Sequence, residues 1–270
     1  MFRRPVALEY QVIDHTHKLR GAIDRIDLIS NSEIDMAKDI ELPIVTEEQW
    51  NDASDYISKS RCSTFFDNFY GCPMKYKKQY IDKILPRESN HVMSVGTRFH
   101  EFAELFMKVR DNYPVEQWES FIHPDFTEEE VDMLKWFIKF EMDRYLNNND
   151  NFVNDTIEII EYKTSRSINK QKLQFEFGFY NILVDCIDEL KDFDKVFSVI
   201  YPRLQTAVSF NPSRYTTIMK KVNTINDAIN NMAFDPRCNG VEYCNPFCDI
   251  CTLEEIIEAR EDYTRKTKKV

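Results

Sequence analysis

Hydrophobic and polar residues alternate in two runs near the start of the chain. The first run spans residues 8–12, and the second spans residues 19–28. Alternation of this kind is typical of strands with one buried face. We therefore predict a β-hairpin over residues 6–28, with its turn at residues 15–18 (His-Thr-His-Lys).

The rest of the chain carries a mixture of helical and strand patterns. A capping-type sequence at Thr46-x2-Gln49 and another at Thr127-x2-Glu130 mark two helix starts. The spacing of apolar residues predicts helices over residues 60–84, 94–109, 127–145, 173–190 and 213–232, and strands over residues 156–164, 196–201 and 206–208. Such a mixture favours an α/β or α+β fold with a central sheet.

Composition limits the class of protein. The 270 residues are 43% hydrophobic and 13% aromatic, which is enough for a buried core. No apolar run approaches the roughly 20 residues that cross a bilayer. The first five residues lead directly into polar sequence and do not resemble a signal peptide. We therefore expect a soluble, intracellular (cytoplasmic) protein with no membrane partner.

The formal net charge of −11 does not by itself favour nucleic-acid binding. Binding depends on local patches, however, and the chain has short basic runs at residues 75–78, 170–172, 220–221 and 265–269. Each run is either a contact surface for a polyanion or a solvated helix face.

Four short motifs supply the side chains of one metal site if the fold brings them together. They are Gly21-Ala22-Ile23-Asp24, Gly96-x3-His100-x3-Glu104, Glu161-Tyr162-Lys163 and Glu176-x3-Tyr180. Hard divalent cations take oxygen ligands and sometimes an imidazole. A lysine beside such a site can orient water for attack on a phosphate. The motifs therefore favour metal-assisted hydrolysis of phosphodiester bonds.

Spacing supports this interpretation, although each residue also has a purely structural explanation. His100 and Glu104 are four residues apart, so they share one face of a helix. Lys163 is two residues beyond Glu161, so both side chains point to the same face of a strand. Alternatively, His100 is a hydrogen-bonded core histidine, Lys163 is merely exposed, and Asp24 forms a weak surface pair with its neighbour.

Together these motifs resemble the RecB-type branch of the PD-(D/E)xK nuclease superfamily. The similarity is greatest to its iron-sulfur forms, such as the CRISPR-associated RecB-like exonucleases and the AddB nuclease domain. It also includes the Ser63 to Tyr80 segment, which carries Cys72-Pro73. The resemblance implies a restriction-endonuclease-like α/β core, with a mixed central sheet flanked by helices. Glu176 stands where that family usually has glutamine.

By this resemblance, Mg²⁺ or Mn²⁺ is bound by Asp24, His100, Glu161 and the backbone carbonyl of Tyr162. Lys163 is expected to position the attacking water and to stabilise charge in the transition state. Glu176 and Tyr180 are expected to orient Lys163 or to contact the DNA backbone.

The order of the motifs departs from the family. There, the G-x-I-D strand lies between the histidine helix and the acid-lysine strand, whereas here it comes first. We therefore predict that the hairpin of residues 6–28 inserts beside strand 157–164. The chain is interpreted as one nuclease domain. Its parts are a displaced hairpin (1–28), a connector (29–59), a helical part (60–150), a core (151–235), a cysteine cluster (236–252) and a charged tail (253–270).

Seven cysteines are unevenly distributed, and four of them lie within residues 238–251. In an intracellular protein, such a cluster favours a metal site over disulfides. The related nucleases take one cysteine from the Cys-Pro helix and three from the C-terminus. This implies a [4Fe-4S] cluster bound by Cys72, Cys244, Cys248 and Cys251, with Cys238 as a substitute. Zn²⁺ bound by the four late cysteines, or a set of reduced thiols, is the alternative. We expect Cys62 and Cys186 in the core.

The resemblance implies a metal-dependent DNA exonuclease that acts on single-stranded ends. The process would be DNA repair, recombination, or CRISPR or viral DNA processing, with a helicase, integrase or recombination protein as partner. Phe69, Tyr70 and Tyr76 are candidates for base stacking. The alternatives are a catalytically inactive DNA-end-binding or assembly subunit on the same fold, and a zinc-stabilised interaction protein.

Overall fold

Asp14 shapes the tight turn of the opening hairpin. In the computed structural model, its carboxylate accepts hydrogen bonds from the backbone N–H groups of Thr16 (2.9 Å) and His17 (3.2 Å). Lys18 closes the turn in the left-handed region, with φ at 54°. The flanking strands are β1 (Phe2–Asp14) and β2 (Leu19–Ser30), which pair antiparallel. The predicted hairpin and its turn are confirmed.

The structure describes residues 2–30, 40–67, 71–85, 91–146 and 156–234, together with 250–252, 254–255 and 257–258. Three further strands follow the hairpin: β3 (Thr156–Tyr162), β4 (Asp194–Tyr201) and β5 (Thr206–Ser209). The sheet has the order β1-β2-β3-β4-β5, in which only the β3–β4 pair is parallel among the described strands.

The hairpin lies beside the acid-lysine strand, as predicted. β2 pairs antiparallel with β3, and the paired residues run from Arg25 opposite Ile160 to Ile29 opposite Thr156. β3 is the middle strand and is buried along its whole length. Its two glutamates, Glu158 and Glu161, are therefore buried together with its apolar residues.

The helices of the described residues lie close to the predicted ranges. They are α1 (Glu47–Asp52), α2 (Lys59–Phe66), α3 (Pro73–Tyr76), α4 (His91–Val109), α5 (Glu128–Leu146), α6 (Lys170–Asp185) and α7 (Tyr215–Asn230). The capping pairs Thr46–Gln49 and Thr127–Glu130 both form. The predicted mixed α/β fold, with a central sheet flanked by helices, is present.

Two helix predictions were too long. The segment predicted as one helix over 60–84 is divided: Cys72 caps α3, Pro73 starts it, and a π-helical turn follows at Lys77–Ile81. Proline is favoured at the first position of a helix and disfavoured inside one. α6 ends at Asp185 rather than at residue 190, and turns follow it.

The chain divides into two compact units, residues 1–53 with 89–213 and residues 54–88 with 214–270. In the first unit, β3 separates two layers. Ile160 and Tyr162 pack into an aromatic core with Phe99 of α4 and Phe137 of α5. The odd-numbered residues of β3, which include Glu161, face the opposite side of the sheet, because successive residues of a strand alternate between faces. On that face, Glu161 meets α6 through the hydroxyl of Tyr180.

The second unit contains α2, α3, the π-helical turn and α7. Arg61 of α2 donates a hydrogen bond to the hydroxyl of Tyr76 (3.0 Å) and lies over the ring of Tyr80. Tyr76 stacks on Phe234, and Ile218 of α7 is fully buried. Within the described residues, no helix is long and apolar enough to cross a membrane.

Candidate metal and catalytic site

The register of the opening hairpin brings Glu9 opposite Asp24. The neighbouring pairs are Leu8 with Arg25 and Tyr10 with Ile23, so Glu9 and Asp24 stand between them. Opposed residues of an antiparallel pair lie on the same side of the sheet. Glu9 adopts a φ of 46°, which is unusual for a non-glycine residue in a strand.

α4 adds an imidazole to these two carboxylates. The Nδ1 atom of His100 lies 3.4 Å from Oε1 of Glu9 and 3.7 Å from Oδ2 of Asp24. One potential ligand atom from each of the three residues lies within 4.8 Å of the others. Asp24 is buried, whereas the side chains of Glu9 and His100 remain about one third exposed, at 36% and 29%. The group is therefore accessible from solvent.

Asp24 also joins β2 to β3. Its Oδ2 atom accepts a hydrogen bond of 2.7 Å from the backbone N–H of Tyr162. The backbone pairing of β2 with β3 ends at Arg25 and Ile160, so it includes neither Asp24 nor Tyr162. The carboxylate thus satisfies a buried donor at the end of the ladder, which fixes the position of Asp24 relative to the acid-lysine strand.

Lys163 is held between two carboxylates next to this point. Its Nζ atom pairs with Oε1 of Glu161 and lies 3.0 Å from Oε2 of Glu176 on α6. The hydroxyl of Tyr180, one turn further along α6, donates a hydrogen bond of 2.6 Å to Oε2 of Glu161. Four of the five residues predicted from the acid-lysine strand and from α6 therefore form one connected cluster: Glu161, Lys163, Glu176 and Tyr180.

The predicted metal ligands are brought together only in part. His100 and Asp24 are neighbours, and Glu9 joins them, although the sequence motifs did not include it. Glu161 is not a member of this mutually close group, and its oxygens contact Lys163 and Tyr180 instead.

Two further residues of the predicted motifs have other contacts. Tyr162 donates its N–H to Asp24, and its ring lies nearly perpendicular to that of His100, with 5.8 Å between the ring centroids. Glu104 pairs with Lys108 at 2.5 Å on the same helix. The use of the Tyr162 carbonyl as a ligand stays a prediction.

A signal for Glu9 was present in the sequence. Once the turn is at residues 15–18, Asp14 pairs with Leu19, and counting back along both strands reaches Glu9 and Asp24 together. Hairpin register is fixed by the turn and the loop length. Motif spacing does not contain this information, so Glu9 was missed.

Neighbouring carboxylates raise the pKa of both His100 and Lys163. Burial lowers the pKa of His100, but its hydrogen bond with Glu9 and the charge of Asp24 outweigh this effect and raise it. Burial also lowers the pKa of Lys163, and the carboxylates of Glu161 and Glu176 raise it further than burial lowers it. Lys163 is therefore a cation throughout the neutral range.

Tyr180 stays protonated for two reasons. Burial raises the pKa of its hydroxyl, and the nearby charge of Glu161 raises it further. A neutral phenol can donate a hydrogen bond, and this one is directed at the Glu161 carboxylate. The orientation of Glu161 is consequently fixed from α6.

The donor set of Glu9, Asp24 and His100 fits Mg²⁺ or Mn²⁺. Carboxylate oxygens suit both ions, and one imidazole is compatible with Mn²⁺ in particular. Three side chains would leave several of the usual coordination positions to water or substrate. Thiol ligands are absent from the group, which disfavours a softer metal.

A buried ion network lies behind the site. Arg25 is fully buried and donates hydrogen bonds to Asp27 (2.6 and 2.5 Å) and to Glu141 of α5 (2.8 Å). Arg110 donates to the other oxygen of Glu141 at 2.8 Å. Arg25 also reaches the hydroxyl of Tyr162 at 3.3 Å. The alternative that Arg25 forms a surface pair with Asp24 is therefore wrong.

The network is balanced in charge. Arg144 pairs with Asp27 (3.1 Å) and with Glu158 of β3 (2.6 Å), which adds a third guanidinium and a third carboxylate. Buried charges are tolerated when they are paired and hydrogen-bonded. These pairs link β2, β3 and α5, and they account for the buried charges of Arg25 and Asp27 in β2.

Of the predicted cluster cysteines, the structure describes Cys72 and Cys251. The Cys72 Sγ atom accepts a hydrogen bond of 3.2 Å from the backbone N–H of Lys75 at the start of α3. Lys78, in the π-helical turn that follows, donates a hydrogen bond of 2.7 Å to the carbonyl of Ile250. The segment that carries Cys251 is thereby tied to the Cys-Pro helix. Cys238, Cys244 and Cys248 lie outside the described residues.

The expectations for the remaining cysteines and for the aromatic residues are confirmed only in part. Cys62 is buried, as predicted, and burial raises the pKa of its thiol to about 12. The prediction for Cys186 was wrong: it is exposed, because it caps the end of α6. Base stacking by Tyr76 is also wrong, because its ring is fully buried. Phe69 and Tyr70 lie outside the described residues.

Comparison with known proteins gives one similarity. No protein-family model matches the chain, and no curated protein matches it significantly. The chain is similar to a crystal structure of a "Putative exonuclease" from Eubacterium rectale, with a TM-score of 0.46. The identity is 13%, over 77% of this chain and 92% of that chain. At this level of similarity, the assignment of a function depends on the residues of the chain itself.

Proposed function

We propose that the protein is a metal-dependent nuclease that hydrolyses phosphodiester bonds in DNA. The observation that carries this proposal is the convergence of Glu9, Asp24 and His100, with ligand atoms within 4.8 Å of one another. Through its hydrogen bond to Tyr162, this group is attached to the strand that carries Glu161 and Lys163. Two carboxylates, an imidazole and a lysine at one strand end suit metal-assisted hydrolysis.

Glu9, Asp24 and His100 would hold Mg²⁺ or Mn²⁺. When bound, such an ion supplies Lewis acidity toward a phosphoryl oxygen and lowers the pKa of a bound water. The protein contributes a fixed geometry: Asp24 is anchored by the Tyr162 N–H, and the ring of His100 packs nearly perpendicular to the ring of Tyr162. Glu161 would join this set if it exchanged its contacts with Lys163 or Tyr180 for the ion.

Lys163 acts as a fixed positive charge. Its pairing with Glu161 and Glu176 keeps it protonated, so it serves as an electrostatic stabiliser rather than a base. A cation placed where negative charge develops lowers the barrier, because no reorganisation is needed during the reaction. Glutamate at position 176 is consistent with this role, since a second carboxylate strengthens the hold on the ammonium group.

The reaction is the hydrolysis of a phosphodiester. The oxygen of a water molecule forms a bond to phosphorus, and the bond from phosphorus to the leaving oxygen breaks. The leaving oxygen takes up a proton, which gives a hydroxyl end and a phosphate monoester. We propose single-stranded DNA ends as the substrate, in repair, recombination, or CRISPR or viral DNA processing, with a helicase, integrase or recombination protein as partner.

Cleavage of end-labelled oligodeoxynucleotides, with and without Mn²⁺, tests the function. We expect the wild-type protein to shorten a single-stranded substrate only when Mn²⁺ or Mg²⁺ is present. Lys163→Ala should abolish cleavage; because it also leaves the buried carboxylates of Glu161 and Glu176 without their cation, it should lower stability by about 3–5 kcal/mol, so cleavage is compared well below the unfolding temperature of the variant. Lys108→Ala, which removes an exposed lysine of α4, is the matched control and should retain full activity.

The same assay separates the two candidate functions. A wild-type protein that binds DNA ends but never cleaves them, with any divalent cation, is the catalytically inactive binding or assembly subunit. Cleavage that survives in the Lys163→Ala variant contradicts the role given to Lys163.

For the cysteines, the proposal is a [4Fe-4S] cluster bound by Cys72, Cys244, Cys248 and Cys251, with Cys238 as a substitute. The Lys78 bond to the Ile250 carbonyl supports it, because it ties the two contributing segments together. Four thiolates are the usual ligand set of such a cluster, and Zn²⁺ is the alternative occupant.

Metal analysis of protein purified without oxygen tests this part. Iron with visible absorbance in the wild-type protein, lost in Cys72→Ser, supports the cluster. Zinc that is retained in Cys72→Ser instead identifies a site made by the four late cysteines, as in a zinc-stabilised interaction protein. Cys186→Ser is the control, because that thiol is exposed at the end of α6.

A further inference from the structure

An uninterrupted exposed segment follows directly after the acid-lysine strand. Residues 165–172 read Ser-Arg-Ser-Ile-Asn-Lys-Gln-Lys, and every one of them is exposed. The segment has three cations and no acid, in a chain whose net charge is −11. Its charge is therefore opposite to that of the protein as a whole.

The segment leaves the sheet at the site. β3 and β4 are parallel, and the backbone N–H of Lys163 donates a hydrogen bond of 3.0 Å to the carbonyl of Ile200 near the end of β4. The carboxyl ends of parallel strands are where α/β proteins bind ligands. α4 approaches closely here, since a Cβ added at Gly96 would lie 3.4 Å from Oγ1 of Thr164.

Arg166 is oriented but remains accessible. Its guanidinium lies 3.0 Å from Oε1 of Glu129, and Nε of Arg203 lies 3.2 Å from the same oxygen. The Arg166 side chain is 76% exposed. An exposed ion pair of this kind contributes little to stability, so exchanging the carboxylate for another anion costs little.

We propose that Arg166, Lys170 and Lys172 bind the phosphate backbone of the nucleic-acid strand that enters the site. This inference rests on the proposed function and adds the surface that receives the substrate. A local basic surface is needed because the rest of the chain repels a polyanion. The segment has no aromatic side chain, so the contact is to phosphates, independent of base sequence.

The test is the affinity for a fluorescein-labelled single-stranded oligodeoxynucleotide, measured by anisotropy over a range of salt concentrations without added divalent cation. Arg166→Gln, and Lys170→Gln combined with Lys172→Gln, should each weaken binding several-fold for every sequence. The slope of log K against log salt should become shallower by about 0.7 for each phosphate contact removed. Lys191→Gln is the matched control: this exposed lysine pairs with Asp188 beyond the other end of α6, and its loss should leave the slope unchanged.

A second pair of variants should change binding in the opposite direction. Glu129→Gln frees Arg166 from its carboxylate, so it should strengthen binding more than Glu128→Gln does. Glu128 is an exposed acid in the same helical turn, so its substitution controls for the general loss of one negative charge.

The outcomes distinguish a failure of the proposed binding surface from a failure of the proposed function. If the wild-type protein binds the strand and the basic-segment variants bind more weakly, the surface stands even where no cleavage is found. If the wild-type protein cleaves DNA but these variants bind with unchanged affinity and slope, the surface is overturned and the nuclease function stands. Failure of the wild-type protein to bind the strand also overturns the surface.

Discussion

The carboxylate of Asp24 accepts a hydrogen bond of 2.7 Å from the backbone N–H of Tyr162, at the point where the pairing of β2 with β3 ends. One acid therefore has a structural contact and belongs to a group suited to a cation. These two roles can be separated, because the hydrogen bond needs only an oxygen, whereas the cation needs a negative charge.

Asp24→Asn should retain the fold and lose the activity. Its amide oxygen can still accept the Tyr162 N–H, so we expect the free energy of unfolding to change by less than about 1 kcal/mol. Mn²⁺-dependent cleavage should fall by about 100-fold or more, beyond the effect typical of outer-shell partners. Asp24→Ala also leaves a buried N–H without its partner and should cost a further 1–3 kcal/mol or so. Urea unfolding and the cleavage assay measure both effects, and equal stability of the two variants would contradict the structural role.

Glu9→Gln should weaken cation binding without unfolding the protein. Glu9 is on a partly exposed strand edge opposite Asp24, so its charge acts mainly on the cation site. We expect the Mn²⁺ concentration required for half-maximal cleavage to rise by about tenfold. Glu101→Gln is the control, since this exposed acid follows His100 on α4. An unchanged Mn²⁺ requirement in Glu9→Gln would remove Glu9 from the site.

Glu141→Gln should destabilise the protein in a pH-dependent manner. Burial raises the pKa of Glu141, but Arg25, Arg144 and Arg110 outweigh it and lower the pKa from 4.5 to about 2. Since the pKa is lower in the folded state, the stabilisation is complete above about pH 4.5 and is lost as the pH falls toward 2. At neutral pH, the loss of one partner from buried pairs should cost about 3–5 kcal/mol.

The measurement is urea unfolding of both proteins at several pH values. The difference between the wild-type protein and Glu141→Gln should be constant near neutrality and should shrink below pH 4.5. The shift in pKa corresponds to a change of about 3 kcal/mol over the whole window. A difference that grows as the pH falls would contradict the account of the network.

Gly71→Ala should disrupt the connection between α2 and α3. A Cβ at this position would lie 2.4 Å from the backbone nitrogen of Asp67 and 2.6 Å from the carbonyl oxygen of Ser63. Backbone atoms cannot move aside as a flexible side chain can, so we expect a loss of several kcal/mol or failure to fold. Gly96→Ala is the comparison, because its Cβ would meet only a hydroxyl at 3.4 Å. Thermal unfolding should show little change in Gly96→Ala, and a similar loss in both variants would contradict this explanation.

The sequence pattern predicted most features that depend on short-range interactions, such as turns, helix caps and strands. The turn at Asp14, the capping of α5 and the buried β3 follow from short-range rules, and they place Glu161 and Lys163 at a strand end. The position of the hairpin beside β3 was also predicted, but from the resemblance of its motif to a nuclease family rather than from local chemistry. Glu9 was missed because its role depends on strand register, which motif spacing does not contain.

The remaining errors have similar causes. Cys186 is apolar in character and follows an apolar helix, yet the helix ends there and the thiol is exposed. The alternative of a surface pair between Asp24 and Arg25 failed because the partner of Arg25, Glu141, is 116 residues away in the chain. Long-range pairing decides both the burial of charges and the burial of helix ends, and local patterns carry little information about it.

The most direct test of the central claim is a crystal structure determined after soaking in Mn²⁺, with the ion located by its anomalous scattering. We predict one strong peak bound by carboxylate oxygens of Glu9 and Asp24 and by a ring nitrogen of His100. A peak bound by other residues, or none at saturating Mn²⁺, would contradict the proposed metal site.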